Sequence, residues 1–260
     1  CIETNIREVT LLGLACYLPL YMLLDRLPLI KSFTTSNINL RELLKIQILE
    51  PINENELSKS IKKIGLIVDP VSVKVKCQYE VNPYPRWKYT YFSADKKFSI
   101  RESINEEIRP NSIDLDYNPN PTRILIAGCG TGNQIFAAQR YKNAHIIAID
   151  LSSSSLAYAQ RKINEFGINN VELIRMDILD VSLLKDKFDI IECGGVLHHM
   201  HDPVLGLRSL LSVLHNDGFL KLALYSELAR KDVLKIREYI HHFNFDSTDI
   251  GIREFRKNIF

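Results

Sequence analysis

From residue 122 onward, short apolar runs alternate with longer amphipathic stretches. Arg123–Ala127 (RILIA), His145–Asp150 (HIIAID), Val171–Met176 (VELIRM), Phe188–Cys193 (FDIIEC) and Gly218–Tyr225 (GFLKLALY) read as strands. Gly132–Tyr141, Ser152–Phe166, Pro203–Leu214, Leu228–Phe243 and Ile250–Phe260 read as helices, with Ser152 and Asp202 placed as N-caps. The strand runs carry few polar residues, as strands covered on both faces do. Strand and helix in alternation predict an α/β protein: a doubly wound, mostly parallel sheet that binds ligands at the carboxyl ends of its strands.

The pattern upstream is different. Residues 1–66 look helical: an uncharged run Val9–Leu24, then Leu40–Leu49, then Glu54–Gly65, where Leu57, Ile61 and Ile64 recur at helical spacing and Gly65 is a stop. Residues 67–121 are punctuated. Val71–Tyr79 (VSVKVKCQY) alternates in part and reads as a short strand or an extended lead-in, and the paired prolines of Asn82–Trp87 exclude a regular helix. Asn118-Pro119-Asn120-Pro121 closes this stretch as a boundary. Three regions are expected: a helical N-terminal region 1–66, an aromatic and proline-rich connection 67–121, and a ligand-binding domain 122–260.

Val9–Leu24 calls for a membrane check. As one helix it would span about 24 Å, against a hydrocarbon core of about 30 Å, and Pro19 would interrupt it. It reads as a buried helix or helix pair in preference to a membrane or signal segment. Composition agrees with a water-soluble chain, 46% apolar and 25% charged. The formal charge of +2 and the lack of any dense Lys/Arg block give no electrostatic footprint for nucleic acid. The five cysteines, Cys1, Cys16, Cys77, Cys129 and Cys193, form no C-x-x-C pair, so neither a disulfide framework nor a structural zinc site is expected, and a cytoplasmic location fits.

The sharpest chemical signal is Gly128-Cys129-Gly130-Thr131-Gly132, directly after the first strand and opening a helix. Glycines allow a tight turn and close approach to a ligand, and free amides at a helix start can face it. The dinucleotide pattern G-x-G-x-x-G would need a third glycine where Asn133 stands, which argues against a nicotinamide or flavin oxidoreductase. No phosphate-binding lysine follows, which argues against a P-loop. Asp150 ends the second strand about 20 residues on, where a carboxylate can accept both ribose hydroxyls; the alternative is a cap for the next helix. Asp177 follows the third strand and can accept an adenine amino group, with Ile178 against the ring, or simply make a turn.

Taken in order, the loop, Asp150, Asp177 and the run Phe188–His199 (FDIIECGGVLHH) resemble the class I S-adenosylmethionine-dependent methyltransferases over about residues 122–226. The resemblance implies a Rossmann-like fold and methyl transfer from S-adenosylmethionine by in-line displacement, to an acceptor that is a small molecule or a protein side chain. It places Gly128, Cys129, Gly130 and Gly132 around the amino-acid and ribose parts of the cofactor, Asp150 and Leu151 at the ribose, Asp177 and Ile178 at the adenine, and Cys193 and Gly194 beside the methionine portion. That family often carries an acidic residue two positions before the first glycine; Ile126 stands there. Its sheet normally continues to a sixth and a seventh strand, so this chain is expected to lack the last strands. Gln78-Tyr79-Glu80 with Asn82–Trp87 is also similar to a segment in bacterial methyltransferases fused to tetratricopeptide repeats, which implies a repeat-mediated protein partner if the full-length chain carries repeats.

His198 and His199 are the candidates for a general base, against a plain loop role; no acidic or cysteine partner is placed beside them for a metal site, and none is expected. Tyr79, Tyr84, Trp87, Tyr89, Tyr91 and Phe92 make the segment before the domain aromatic: a lid or acceptor pocket over the cleft, or a packed connection between two domains. A non-catalytic methyltransferase-like interaction module is the alternative to an enzyme.

Overall fold

The computed structural model describes residues 7–90, 96–114 and 116–259, so Cys1, Tyr91, Phe92 and Phe260 lie outside the described residues. The chain divides into two compact units, Cys1–Leu222 and Ala223–Phe260.

In the first unit a helical segment comes first: α1 (Glu8–Ala15), two short 3-10 turns, then α2 (Ile38–Leu44), which runs through a π-helical turn, Lys45–Leu49, into α3 (Glu50–Ser60). Leu11, Leu20, Ile30, Leu40, Leu44 and Ile48 form a core of their own here. The Val9–Leu24 run is broken as Pro19 predicts, with α1 ending at Ala15 and a 3-10 turn at Leu20–Leu23. Among the described residues no helix is long and apolar enough to cross a membrane.

Two expectations upstream of residue 122 are corrected. The helix expected over Glu54–Gly65 ends at Ser60; Ile61 turns extended (ψ 124°), and Lys62–Lys63 become β1, paired with Ile174 and Arg175. Val71–Tyr79 is not a strand but lies within helix α4 (Pro70–Val81). Asp69 caps it, its Oδ1 accepting from the Val71 and Ser72 amides, and Pro70 sits in the first turn, where its missing N–H costs nothing. Helix α5 (Ile100–Glu107) follows, opened by a capping box between Ser99 and Glu102.

The alternating half folds in the expected order, though its last strand starts at Leu214 and not at Gly218: β2 (Thr122–Ala127), α6 (Asn133–Ala138), β3 (Ala144–Asp150), α7 (Ser153–Glu165), β4 (Val171–Arg175), β5 (Phe188–Gly194), α8 (Pro203–Ser212) and β6 (Leu214–Ala223). Ser152 and Asp202 cap α7 and α8. The six strands lie in the order β1-β4-β3-β2-β5-β6. The β1–β4, β4–β3, β3–β2 and β2–β5 pairs are parallel.

Alternation along the strands explains their apolar composition. Ile124, Ile126, Ile146 and Ala148 pack on one face, with Phe136 of α6 and Leu156 of α7. Leu125, Ala127, Ile147 and Ile149 pack on the other, with Leu210 of α8. Both faces are core, so both phases of the period-2 pattern must be apolar, and each large side chain fully buried contributes about 1.5–3 kcal/mol.

The second unit holds α9 (Lys231–His242) and α10 (Asp249–Ile259). Its aromatic rings contact one another: Tyr239 packs on Phe243 at 4.5 Å between centroids, and Phe245 meets Phe255 edge-on at 5.7 Å.

Candidate active site

Because β2, β3, β4 and β5 run parallel, their carboxyl ends share one edge of the sheet. That edge collects the glycine loop after Ala127, Asp150 at the end of β3, Asp177 after β4, and Gly194 with the histidines after β5.

All three loop glycines have positive φ: +75° at Gly128, +52° at Gly130 and +90° at Gly132. Their surroundings differ. A Cβ on Gly128 would come within 3.0 Å of Val196 Cγ2, and one on Gly132 within 3.0 Å of the Ala159 Cβ. These two glycines admit protein neighbours, the loop after β5 and helix α7. At Gly130 a Cβ would meet only the Tyr84 carbonyl, at an ordinary contact distance of 3.7 Å, so the loop leaves room there that a side chain would partly fill. The Cys129 thiol turns into the core beside Ile126 and Phe136, and burial, then the nearby Asp150 carboxylate, push its pKa well up. It offers the site only its main chain.

Asp150 is tied to the loop. Its Oδ2 accepts from the Gly130 amide at 2.9 Å and its Oδ1 from the Ser152 amide at 2.9 Å. Each oxygen keeps a further lone pair. Burial raises the Asp150 pKa, with the Glu80 carboxylate adding to the effect, against the lowering by the Ser152, Gly130 and Leu151 amides. Leu151 is half-buried at this corner. Asp177 is buried, and its Oδ1 accepts from the Leu179 amide at 3.1 Å, opening the turn Ile178–Leu184 in which Ile178 is buried. Its sequence reading as a turn residue is therefore realised, and the second carboxylate oxygen is not used in that turn.

Cys193 is buried against the other face of the sheet, and burial pushes its thiol up to about 12. The Gly194 carbonyl accepts from Gln134 Nε2 at 3.3 Å. His198 and His199 lie in a 3-10 turn, Leu197–His199, with ring centroids 4.3 Å apart; His198 is half-buried and His199 exposed.

Several residues that the sequence reading did not single out as site residues shape this edge. Glu80, at the end of α4, caps α7: Oε1 accepts from the Ser153 amide at 2.8 Å, and Oε2 from the Ser154 amide at 3.0 Å and hydroxyl at 2.7 Å. Burial alone would raise its pKa, but these hydrogen bonds and Lys76 hold it below the ordinary value. The strap after Glu80 then crosses the glycine loop. Thr131 Oγ1 donates to the Pro85 carbonyl at 2.6 Å, Trp87 Nε1 donates to the Thr131 carbonyl at 3.2 Å, and the Tyr158 hydroxyl donates to the Trp87 carbonyl. Trp87 meets Phe136 and Tyr158 edge-on at 5.0 and 5.9 Å. Of the described aromatic residues Trp87 is packed onto the loop, whereas the Tyr84 and Tyr89 side chains are exposed. No local signal predicts the Glu80 contact, because it depends on a helix 73 residues away.

Comparison with known proteins bears on this edge. The sequence profile of a family described as "Methyltransferase domain" matches residues 120–249, half of the chain. An uncharacterised protein of Synechococcus sp. is 39% identical over 120 residues, 45% of this chain and 29% of that protein. A ubiquinone biosynthesis O-methyltransferase of Pseudomonas fluorescens is 26% identical over 140 residues, 54% of this chain and 59% of the enzyme. The chain therefore spans less than two thirds of either relative's length. PKMT2 of Rickettsia typhi, solved in complex with AdoHcy, is 26% identical over 52% of this chain and 27% of that one, with a TM-score of 0.43. With its glycine loop, β3 carboxylate and parallel sheet, the chain belongs to the methyltransferase-domain family of the class I type, whose cofactor is S-adenosylmethionine.

Proposed function

We propose that this chain is the cofactor-binding part of a methyltransferase that acts on a small-molecule or protein acceptor. The observation that carries the reading is the Asp150 carboxylate held on the Gly130 amide, which joins the ends of β2 and β3 into one ligand-facing corner. The residues present fit S-adenosylmethionine: Gly130 leaves room where a Cβ would stand, Asp150 keeps acceptor capacity for two hydroxyls, and the Gln134 Oε1 atom is buried with no hydrogen-bond partner among the described residues.

In this reading the loop 128–132 lies against the cofactor, Asp150 and Leu151 hold the ribose, and Asp177 and Ile178 border the adenine. Gly194 and Cys193, the latter through its main chain, border the methionine portion. When bound, S-adenosylmethionine supplies an already activated methyl group. The protein's share is then alignment and exclusion of water, which can lower a barrier by several kcal/mol, up to about 7–11. The strap from Tyr84 to Trp87 closes one side of the loop and limits access of water there. His198 or His199, at the carboxyl end of β5, takes a proton where the acceptor must lose one. The likeness of Gln78–Trp87 to repeat-fused bacterial methyltransferases supports a longer protein whose repeats recruit a partner.

The test is calorimetric titration of the chain with S-adenosylmethionine, S-adenosylhomocysteine and NADH. Binding of the first two and not of NADH is expected, with at least a tenfold loss, about 1.4 kcal/mol, in Asp150→Ala. No binding of either adenosyl ligand by the folded chain overturns the assignment and favours a non-catalytic interaction module.

A further inference from the structure

Ile126, two positions before Gly128, is wholly buried in the core, so position 126 offers no carboxylate to a ligand's cation. The opposite side of the loop supplies a different group. Gln134, two residues after Gly132, reaches across to the end of β5, where its Nε2 donates to the Gly194 carbonyl at 3.3 Å. That bond fixes which way the amide faces: the nitrogen must point at the carbonyl, so Oε1 points away from it. Oε1 is buried, and among the described residues no donor reaches it.

A buried acceptor without a donor is destabilising, so an amide held this way calls for a donor from outside the chain. The Gly194 carbonyl beside it has a second lone pair. Together they present two acceptors side by side, with one Nε2 hydrogen engaged by the carbonyl. Such a pair suits a group that only donates and does so in several directions, which describes an ammonium.

We propose that Gln134, through Oε1 and beside the Gly194 carbonyl, binds the ammonium at the amino-acid end of the cofactor, in the place of a carboxylate at position 126. The inference rests on the cofactor reading given above. Both acceptors are neutral, so the ammonium is recognised by hydrogen bonding and not by an ion pair, and its contribution changes little with salt.

The experiment is a calorimetric cycle on the whole chain with two ligands, S-adenosylhomocysteine and its analogue lacking only the amino group. Wild type, Gln134→Met (similar shape, no acceptor) and Gln134→Glu (acceptor retained) are compared, and thermal unfolding checks that each variant is folded. Gln134→Met is expected to lose about tenfold, about 1.4 kcal/mol, on the amino-bearing ligand and less than about twofold on the analogue. Gln134→Glu, if Gln134→Met proves unstable, should keep a preference for the amino-bearing ligand. Equal losses on both ligands, or no loss on either, overturn the assignment while leaving the cofactor site standing. Failure of wild type to bind either ligand removes the cofactor reading and this inference with it.

Discussion

Glu54 offers the strongest handle on how the N-terminal helices support the site. Its side chain is only 10% exposed, and it accepts from Arg161 Nε of α7 at 2.9 Å and from Arg86 Nη2 of the strap at 2.9 Å to each oxygen. One carboxylate thus joins α3, the strap over the glycine loop and helix α7. In Glu54→Ala the buried Arg161, 6% exposed, loses its shortest ion pair but keeps Glu50 at 3.1 Å and Glu165 at 3.4 Å. Removing one partner of a buried pair costs about 3–5 kcal/mol. The surviving partners and the half-exposed Arg86, which can take up water, put this case at the low end, about 3 kcal/mol. At about 2–4 °C per kcal/mol for a chain of this size, Tm should fall by about 6–12 °C. Urea unfolding is followed by far-UV circular dichroism and by the fluorescence of Trp87, the single tryptophan, which sits in the strap itself. Lys59→Ala, which removes an ion pair with Glu56 that is 61% and 65% exposed, serves as the control and should cost less than about 1 kcal/mol. A loss in Glu54→Ala no larger than in the control would refute the claim that this junction is structural.

Two further outcomes follow from local geometry. Gly128→Ala should destabilise the chain by about 1–3 kcal/mol through its φ of +75°, with a clash against Val196 added; Val196→Ala in the same chain should relieve the clash and not the backbone strain, as read from urea midpoints. The Glu102 carboxyl is held down to about 2 from 4.5 by the Ser99 amide and hydroxyl, with Lys142 assisting. Its stabilising effect is therefore fully present above pH 4.5 and lost as the pH falls toward 2; Glu102→Gln should flatten that part of the stability–pH curve, and an unchanged acid limb would contradict it.

What could be read from the sequence followed from how densely each element is constrained. The central strands are buried on both faces, so Ile124 to Ala127 and Ile146 to Ile149 must all be apolar and announce themselves. Asp150 and the glycines are marked by spacing because the turn geometry allows few alternatives. In Val71–Tyr79 the β-branched residues and partial alternation pointed to a strand, whereas Asp69 and Pro70 form a helix start that outweighed them. Lys62 and Lys63 carry no hydrophobic pattern; only pairing with β4 makes them a strand. Glu80 and Gln134 were missed as site residues because their significance lies in partners 73 and 60 residues away, Ser153 and Gly194.

The most direct test of the central claim is the crystal structure of this chain bound to S-adenosylhomocysteine. The account predicts ligand density across the loop 128–132 at the carboxyl ends of β2 and β3, with both ribose hydroxyls on the Asp150 carboxylate. Density elsewhere on the molecule, or a ribose that leaves Asp150 bonded only to Gly130 and Ser152, would contradict it.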